Sequence, residues 1–202
     1  MELRKIFEKE LQDYLKDTFS SFKNVKVIRN EIGVKVGDAI GRIGFRFLNN
    51  AQGYNLSMSV SLPELRNFYM EISPPYRPNV ATDFELVMNT SMEIGFKSFA
   101  PNMGGTVDLP RNEVERKKAC EWIAGKVQDI YFPRLMNVIE LKPALIDDVL
   151  AHPDYYAYPF LTILYVIKKN NIQLESLNME AIMSKRMMGN KAFDKNLLET
   201  FL

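Results

Sequence analysis

The chain has 202 residues, 47% of them hydrophobic, enough to bury a core as one domain or two small ones and too apolar for wholesale disorder. Its 26 Lys and Arg against 25 Asp and Glu leave no bulk charge to recruit nucleic acid or an anionic membrane. One cysteine, Cys120, excludes an internal disulfide and fits a reducing compartment, and a lone histidine, His152, excludes histidine-rich metal sites.

Residues 1–5 run straight into an amphipathic pattern with no apolar segment of the secretory kind. The most lipophilic stretch, 155–167, falls short of the roughly 20 residues that a bilayer span needs. The expectation is a soluble, cytoplasmic protein. In chain order, Leu3, Ile6, Phe7, Leu11, Tyr14, Leu15, Phe19 and Phe22 recur at three- and four-residue steps, which predicts an amphipathic helix with one buried stripe.

Val25 and Val27 open a strand, Asn30-Glu31 a turn, and Ile32, Val34 and Val36 a second strand that Gly37-Asp38 turns toward Ile40. The strongest signal follows. Ile43, Phe45 and Phe47 alternate with Gly44 and Arg46, and beyond the turn residues 49–53, Tyr54, Leu56, Met58, Val60 and Leu62 alternate with Asn55, Ser57, Ser59 and Ser61. Side chains of a strand alternate between faces, so these two runs predict a β-hairpin with one apolar face. Phe45, Phe47, Leu56 and Met58 are the predicted core of it. Short turns between consecutive strands favour an antiparallel meander, and the helix-then-meander order an α+β fold.

Residues 63–72 suit a short helix or an irregular edge, and 73–78, with three prolines, a surface loop. Phe84, Leu86 and Met88 alternate, as do Met92, Ile94 and Phe96, predicting one or two further strands. Residues 101–110, with Gly104-Gly105, mark a boundary, dividing the chain into a sheet-bearing region 1–110 and a helical region 111–202 packed together. Asn112 and Glu115 form a capping box ahead of a long helix that Pro133 should kink. A short helix over 145–150 ends near His152-Pro153, Asp154 can cap the next, and two more helices are expected over 179–188 and 193–202.

No catalytic constellation emerges. Gly37, Gly41 and Gly44 follow neither the dinucleotide nor the P-loop spacing and read as sharp turns or close backbone packing. Asp148 or Asp154 beside His152 could orient a general base, but a histidine before a proline at a helix end commonly caps carbonyls or meets solvent. Asp147 and Asp148 diverge by about 100° around a helix and make a poor acid–base pair. Cys120 beside Trp122 reads as a buried thiol. The cluster Met183, Met187 and Met188 fits core filling or an adaptable partner surface, and the proline loop fits a connection or a docking segment. No cofactor pattern is present.

What remains is a face. Arg42 and Arg46 share a strand side with Gly44, and Ser57 and Ser59 lie on a polar side of the partner strand. If the two sides coincide, Arg42, Arg46, Ser57 and Ser59 form a weakly basic contact surface for a protein partner; the other reading is the solvent side of a half-covered sheet.

The helix, the strands through Gly44-Phe45-Arg46-Phe47 and Asn55-Leu56-Ser57-Met58-Ser59-Val60, and the Trp122-containing helical tail together resemble small bacterial proteins of unknown function, some of them immunity partners of intercellular toxins. The layout is also similar to secretion chaperones, although the long helical second half departs from their compact form. Either resemblance implies a non-catalytic protein-binding role; the alternative is an enzyme or small-ligand protein with a site of scattered polar residues. Nucleic-acid binding through Arg42, Arg46 or Lys185-Arg186 is disfavoured by the charge balance.

Overall fold

The computed structural model describes residues 2–80, 83–89 and 106–201. Helix α1 (Glu2–Thr18) leads into strands β1 (Val25–Ile28), β2 (Glu31–Val36), β3 (Ala39–Leu48) and β4 (Gly53–Ser61), then α2 (Pro63–Ile72) and β5 (Leu86–Asn89). The strands lie in the order β1-β2-β3-β4-β5, an antiparallel meander, and the fold is the expected α+β. The alternation that predicted the hairpin is what builds it: Ile43, Phe45, Leu56 and Met58 are buried, whereas Arg42 and Arg46 are exposed. Phe47 departs from expectation by remaining half-buried, its ring lying 5.1 Å from Tyr54 with the Arg4 guanidinium 4.6 Å above it.

The chain forms two compact units, Met1–Ser59 with Met88–Leu135 and Val60–Val87 with Met136–Leu202. In the first, α1 packs against β1 and against α3 (Glu113–Lys126). Phe7, Leu11 and Leu15, four residues apart, are its buried stripe, and Phe7 meets Tyr54 of the sheet at 5.3 Å between ring centres. Each such side chain contributes about 1.5–3 kcal/mol by leaving water. Leu3, Ile6, Tyr14 and Phe22, read as part of the stripe, are exposed, so the buried face is narrower than the sequence pattern. The two-residue turn between β1 and β2 uses Arg29 and Asn30, one position earlier than expected, with Arg29 at φ 50°.

Residues 106–108 were expected in a boundary loop. They form β6 (Thr106–Asp108), which pairs with β4 through Gly53↔Asp108, Tyr54↔Val107 and Asn55↔Thr106. Two β-branched residues favour a strand here, and Gly53 admits it, since a Cβ at Gly53 would sit 2.8 Å from the Val107 carbonyl oxygen. Met92, Ile94 and Phe96, and residues 101–105, lie outside the described residues.

Asn112 caps α3 as predicted, its side chain accepting from the Glu115 amide at 2.9 Å, while Glu115 reaches back to the amide of Arg111 rather than to that of the cap residue. The break expected at Pro133 takes the form of a π-helical turn, Val127–Tyr131, ahead of α4 (Phe132–Ile139). The Phe132 amide there bonds the Val127 carbonyl, a wider ring that accommodates the proline's missing donor within a continuing helix. Nothing lies within 4 Å of a Cβ built on Gly125 in α3. Gly125→Ala should therefore stabilise the protein by about 0.5–1 kcal/mol in urea unfolding, through lower chain entropy in the unfolded state.

The second unit is organised on α6 (Pro159–Asn170), in which Phe160, Leu161, Ile163, Leu164, Val166 and Ile167 are buried. Helices α2 and α5 (Leu145–Ala151) pack on it. The Tyr69 and Thr162 hydroxyls share a buried 2.6 Å hydrogen bond, and Glu64 of α2 accepts from Tyr165 at 2.7 Å and Lys169 at 2.6 Å. Asp154 does not cap α6. It belongs to a 3-10 turn, Pro153–Tyr155, and α6 starts after Tyr158 with Pro159 in its first turn, where a missing amide hydrogen costs nothing. The helix expected over 179–188 shortens to α7 (Met179–Ile182), followed by turns before α8 (Lys191–Phe201).

Candidate functional site

Register decides whether the predicted contact residues share a side. A Cβ built on Gly44 would lie 3.4 Å from the Ser57 hydroxyl oxygen, so the Gly44 side of β3 and the Ser57 side of β4 are the same. Alternation then carries Arg42 and Arg46 of β3 and Ser59 of β4 onto that face. All four lie together in the first unit, the arginines exposed and the serines half-buried.

The face extends further than the hairpin. Cross-strand pairs Ile28↔Glu31 and Glu31↔Gly44, then Lys26↔Gly33 and Gly33↔Arg42, then Lys35↔Ile40, place Lys26, Ile28, Glu31, Lys35 and Ile40 beside the four. Between them runs a depression of about 240 Å³ with Gly33 in its floor. Ile28 and Ile40 border it and are 50% and 38% exposed. A second dent, of about 530 Å³, opens beside it where Lys23, Lys26 and Lys35 converge near Gly37.

Electrostatically the face is positive. Lys26, Lys35, Arg42 and Arg46 outnumber Glu31, whose carboxylate stands 3.9 Å from the Arg42 guanidinium. At that distance, and with Arg42's side chain 56% exposed, the pair is solvated and leaves the guanidinium available to a stronger acceptor. Lys26, Ile28, Lys35 and Ile40 were missed in the sequence because only the hairpin was followed on its polar side. Extending the same alternation to the Val25–Val27 and Ile32–Val36 runs finds them.

Of the other sequence candidates, Cys120, Met187 and Met188 are packed inside. Cys120 is buried, which pushes its thiol up to about 11, helped by Glu10 and opposed by Arg116. A thiol so raised is protonated and inert at neutral pH. Met187 and Met188 are buried in the second unit, whereas Met183 is half-buried and borders a surface depression with Met188. His152 stacks on Tyr155 at 5.0 Å between ring centres, and the Asp148 carboxylate accepts from the Tyr156 hydroxyl. No group of histidine, cysteine and carboxylate side chains among the described residues could hold a metal ion, and no described helix is long and apolar enough to cross a membrane. Comparison of the chain with family models, with curated proteins and with solved structures gives no match.

Proposed function

We propose that this protein works by binding an acidic protein partner on the outer face of β1–β4. The observation that carries the reading is the composition of that face: Lys26, Lys35, Arg42 and Arg46 surround two exposed isoleucines and a glycine-floored depression, with Glu31 as the countercharge. Cations steer an acidic partner into place and apolar side chains hold it once docked. Ser57 and Ser59 supply hydrogen bonds at the margin. A toxin neutralised in the cytoplasm is a partner of this description, in keeping with the resemblance to immunity proteins.

A nucleic acid suits the face less well. Ile28 and Ile40 offer nothing to a phosphate, Glu31 repels one, and the described residues of the face include no aromatic ring for a base to stack on. The test is affinity capture from an extract of the native cell at low and moderate salt, with the double variant Arg42→Glu/Arg46→Glu in parallel. A stoichiometric acidic protein should be recovered by the wild type and its affinity should fall about tenfold or more in the variant. Both substitutions are on exposed side chains, so unfolding should move by less than about 0.5 kcal/mol. Recovery of no such protein, of a partner indifferent to the double variant, or of nucleic acid alone would refute the reading.

A further inference from the structure

The second unit holds a cleft of about 450 Å³ between α2, the proline loop 73–78, Phe84 and Glu85 ahead of β5, and Ala157 and Tyr158. Its size falls in the range of sites for small organic ligands. Met70, 70% exposed, and Pro74, Pro78 and Phe84 give it apolar walls. Arg66 and Tyr158 supply polar groups.

Both polar groups are held in place with donors to spare. Arg66 donates through Nε to Glu85 Oε1 at 2.9 Å, and through Nη2 to the Ser61 hydroxyl at 3.0 Å and the Asp83 carbonyl at 2.6 Å. No described residue accepts from Nη1, which carries two further N–H groups. The Tyr158 ring meets Tyr69 at 5.0 Å and Tyr76 at 5.8 Å, both edge-on, yet no described residue bonds its hydroxyl. Donors with no described protein acceptor, on two residues that line an apolar-walled cleft, suit a ligand that brings its own acceptors.

Charge narrows the ligand further. Glu85 is 2% exposed, and its carboxylate already accepts from Arg66 and from the Leu62 amide, so the cationic group in the cleft is balanced by a buried anion. An added carboxylate would gain little net attraction and would face Glu85; a cation would face Arg66. A neutral carbonyl meets neither penalty.

We propose that this cleft binds a neutral, apolar carbonyl compound of the aromatic amide class, its oxygens accepting from Arg66 Nη1 and the Tyr158 hydroxyl and its ring lying against Met70, Pro74, Pro78 and Phe84. The site shares no residue with the sheet face and stands whether or not a protein partner binds there.

Titration of the full chain, followed by ligand-observed NMR at pH 7, tests it with three matched probes: N-acetylphenylalaninamide, its carboxylate analogue N-acetylphenylalanine, and the cation phenethylammonium. The amide should bind saturably and at least about fivefold more tightly than either charged probe. Tyr158→Phe, which keeps the ring and removes one hydrogen bond, should weaken the amide about 3- to 10-fold. Met70→Trp, at a position too exposed to carry the fold, should weaken it by obstructing the wall. Absence of saturable amide binding to the wild type, equal or tighter binding of a charged probe, or unchanged affinity in both folded variants would overturn the proposal; if Tyr158→Phe does not fold, Met70→Trp alone decides.

Discussion

Arg66→Met should cost about 3 kcal/mol of stability at pH 7, and the cost should shrink as the solution is acidified. Arg66 lies opposite a carboxylate that is 2% exposed, and its removal strands that charge in the interior. Breaking a buried pair from one side typically costs about 3–5 kcal/mol; the low end applies because the Arg66 side chain is itself 32% exposed. The pH dependence follows from Glu85. Burial raises its pKa, against the Leu62 amide and Arg66, which lower it. Without Arg66 the pKa rises further. A carboxyl raised on folding keeps its full contribution below the unfolded value and loses it as pH climbs through the folded one. The variant should therefore approach the wild type below about pH 4 and diverge from it toward neutrality. Urea unfolding of both proteins across pH 4–8 measures this, and a pH-independent difference would show that Glu85 is not the group left stranded. Glu85→Gln should be milder, since the Arg66 head can turn to water.

The second large effect is expected at Gly189. A Cβ there would lie 2.2 Å from two carbons of the Tyr76 ring and 2.6 Å from a third. Such a contact is cheap when the neighbour can swing away, and Tyr76 cannot. Its ring meets Tyr158 at 5.8 Å and Phe193 at 6.4 Å, and its hydroxyl donates to Asp194 Oδ1 at 2.8 Å. Asp194 is fully buried, and its other oxygen accepts from the Asn190 amide at 3.0 Å ahead of α8. Displacing the ring thus leaves a buried carboxylate oxygen without its donor. Gly189→Ala should cost about 2–4 kcal/mol, combining overpacking with that lost hydrogen bond. Tyr76→Phe, which removes the bond but keeps the ring, should cost about 1–3 kcal/mol. Near-UV circular dichroism would report the tyrosine displacement and urea unfolding its energy; an alanine variant as stable as the wild type would mean that the ring is free to yield.

These two positions also mark where the sequence stopped being informative. The meander was legible because period-two alternation is local: Phe45, Leu56 and Met58 identify their face without knowledge of any distant residue. Alternation alone left open whether Arg42 and Arg46 share a side with Ser57 and Ser59; the hairpin register, which sets Gly44 against Ser57, puts them on one face. Glu85 obeys no local rule. Standing between Phe84 and Leu86 in an alternating run, it reads as the wet side of a strand, and only a partner 19 positions away, with an amide 23 positions away, explains its burial. The start of α6 was misplaced because Asp154 offered an attractive cap, while Pro159, which can open a helix with no side-chain cap, was passed over. The methionine cluster was open to two readings because periodicity cannot distinguish a core side chain from an adaptable surface one; the burial of Met187 and Met188 needed the packed turns after α7.

The interleaving of the two units bears on how the chain is made. Val60–Val87 carries Leu65, Phe68 and Tyr69 of α2, and the helix they pack on, α6, belongs to Met136–Leu202. At a synthesis rate of about 5–20 residues per second, those side chains leave the ribosome several seconds before α6 does. Neither unit is one uninterrupted stretch, so vectorial folding cannot finish one before starting the other. The nascent chain carries an unpaired apolar helix through that interval, and a brake on translation between the two segments would lengthen the time for which it is open to chaperones or to aggregation.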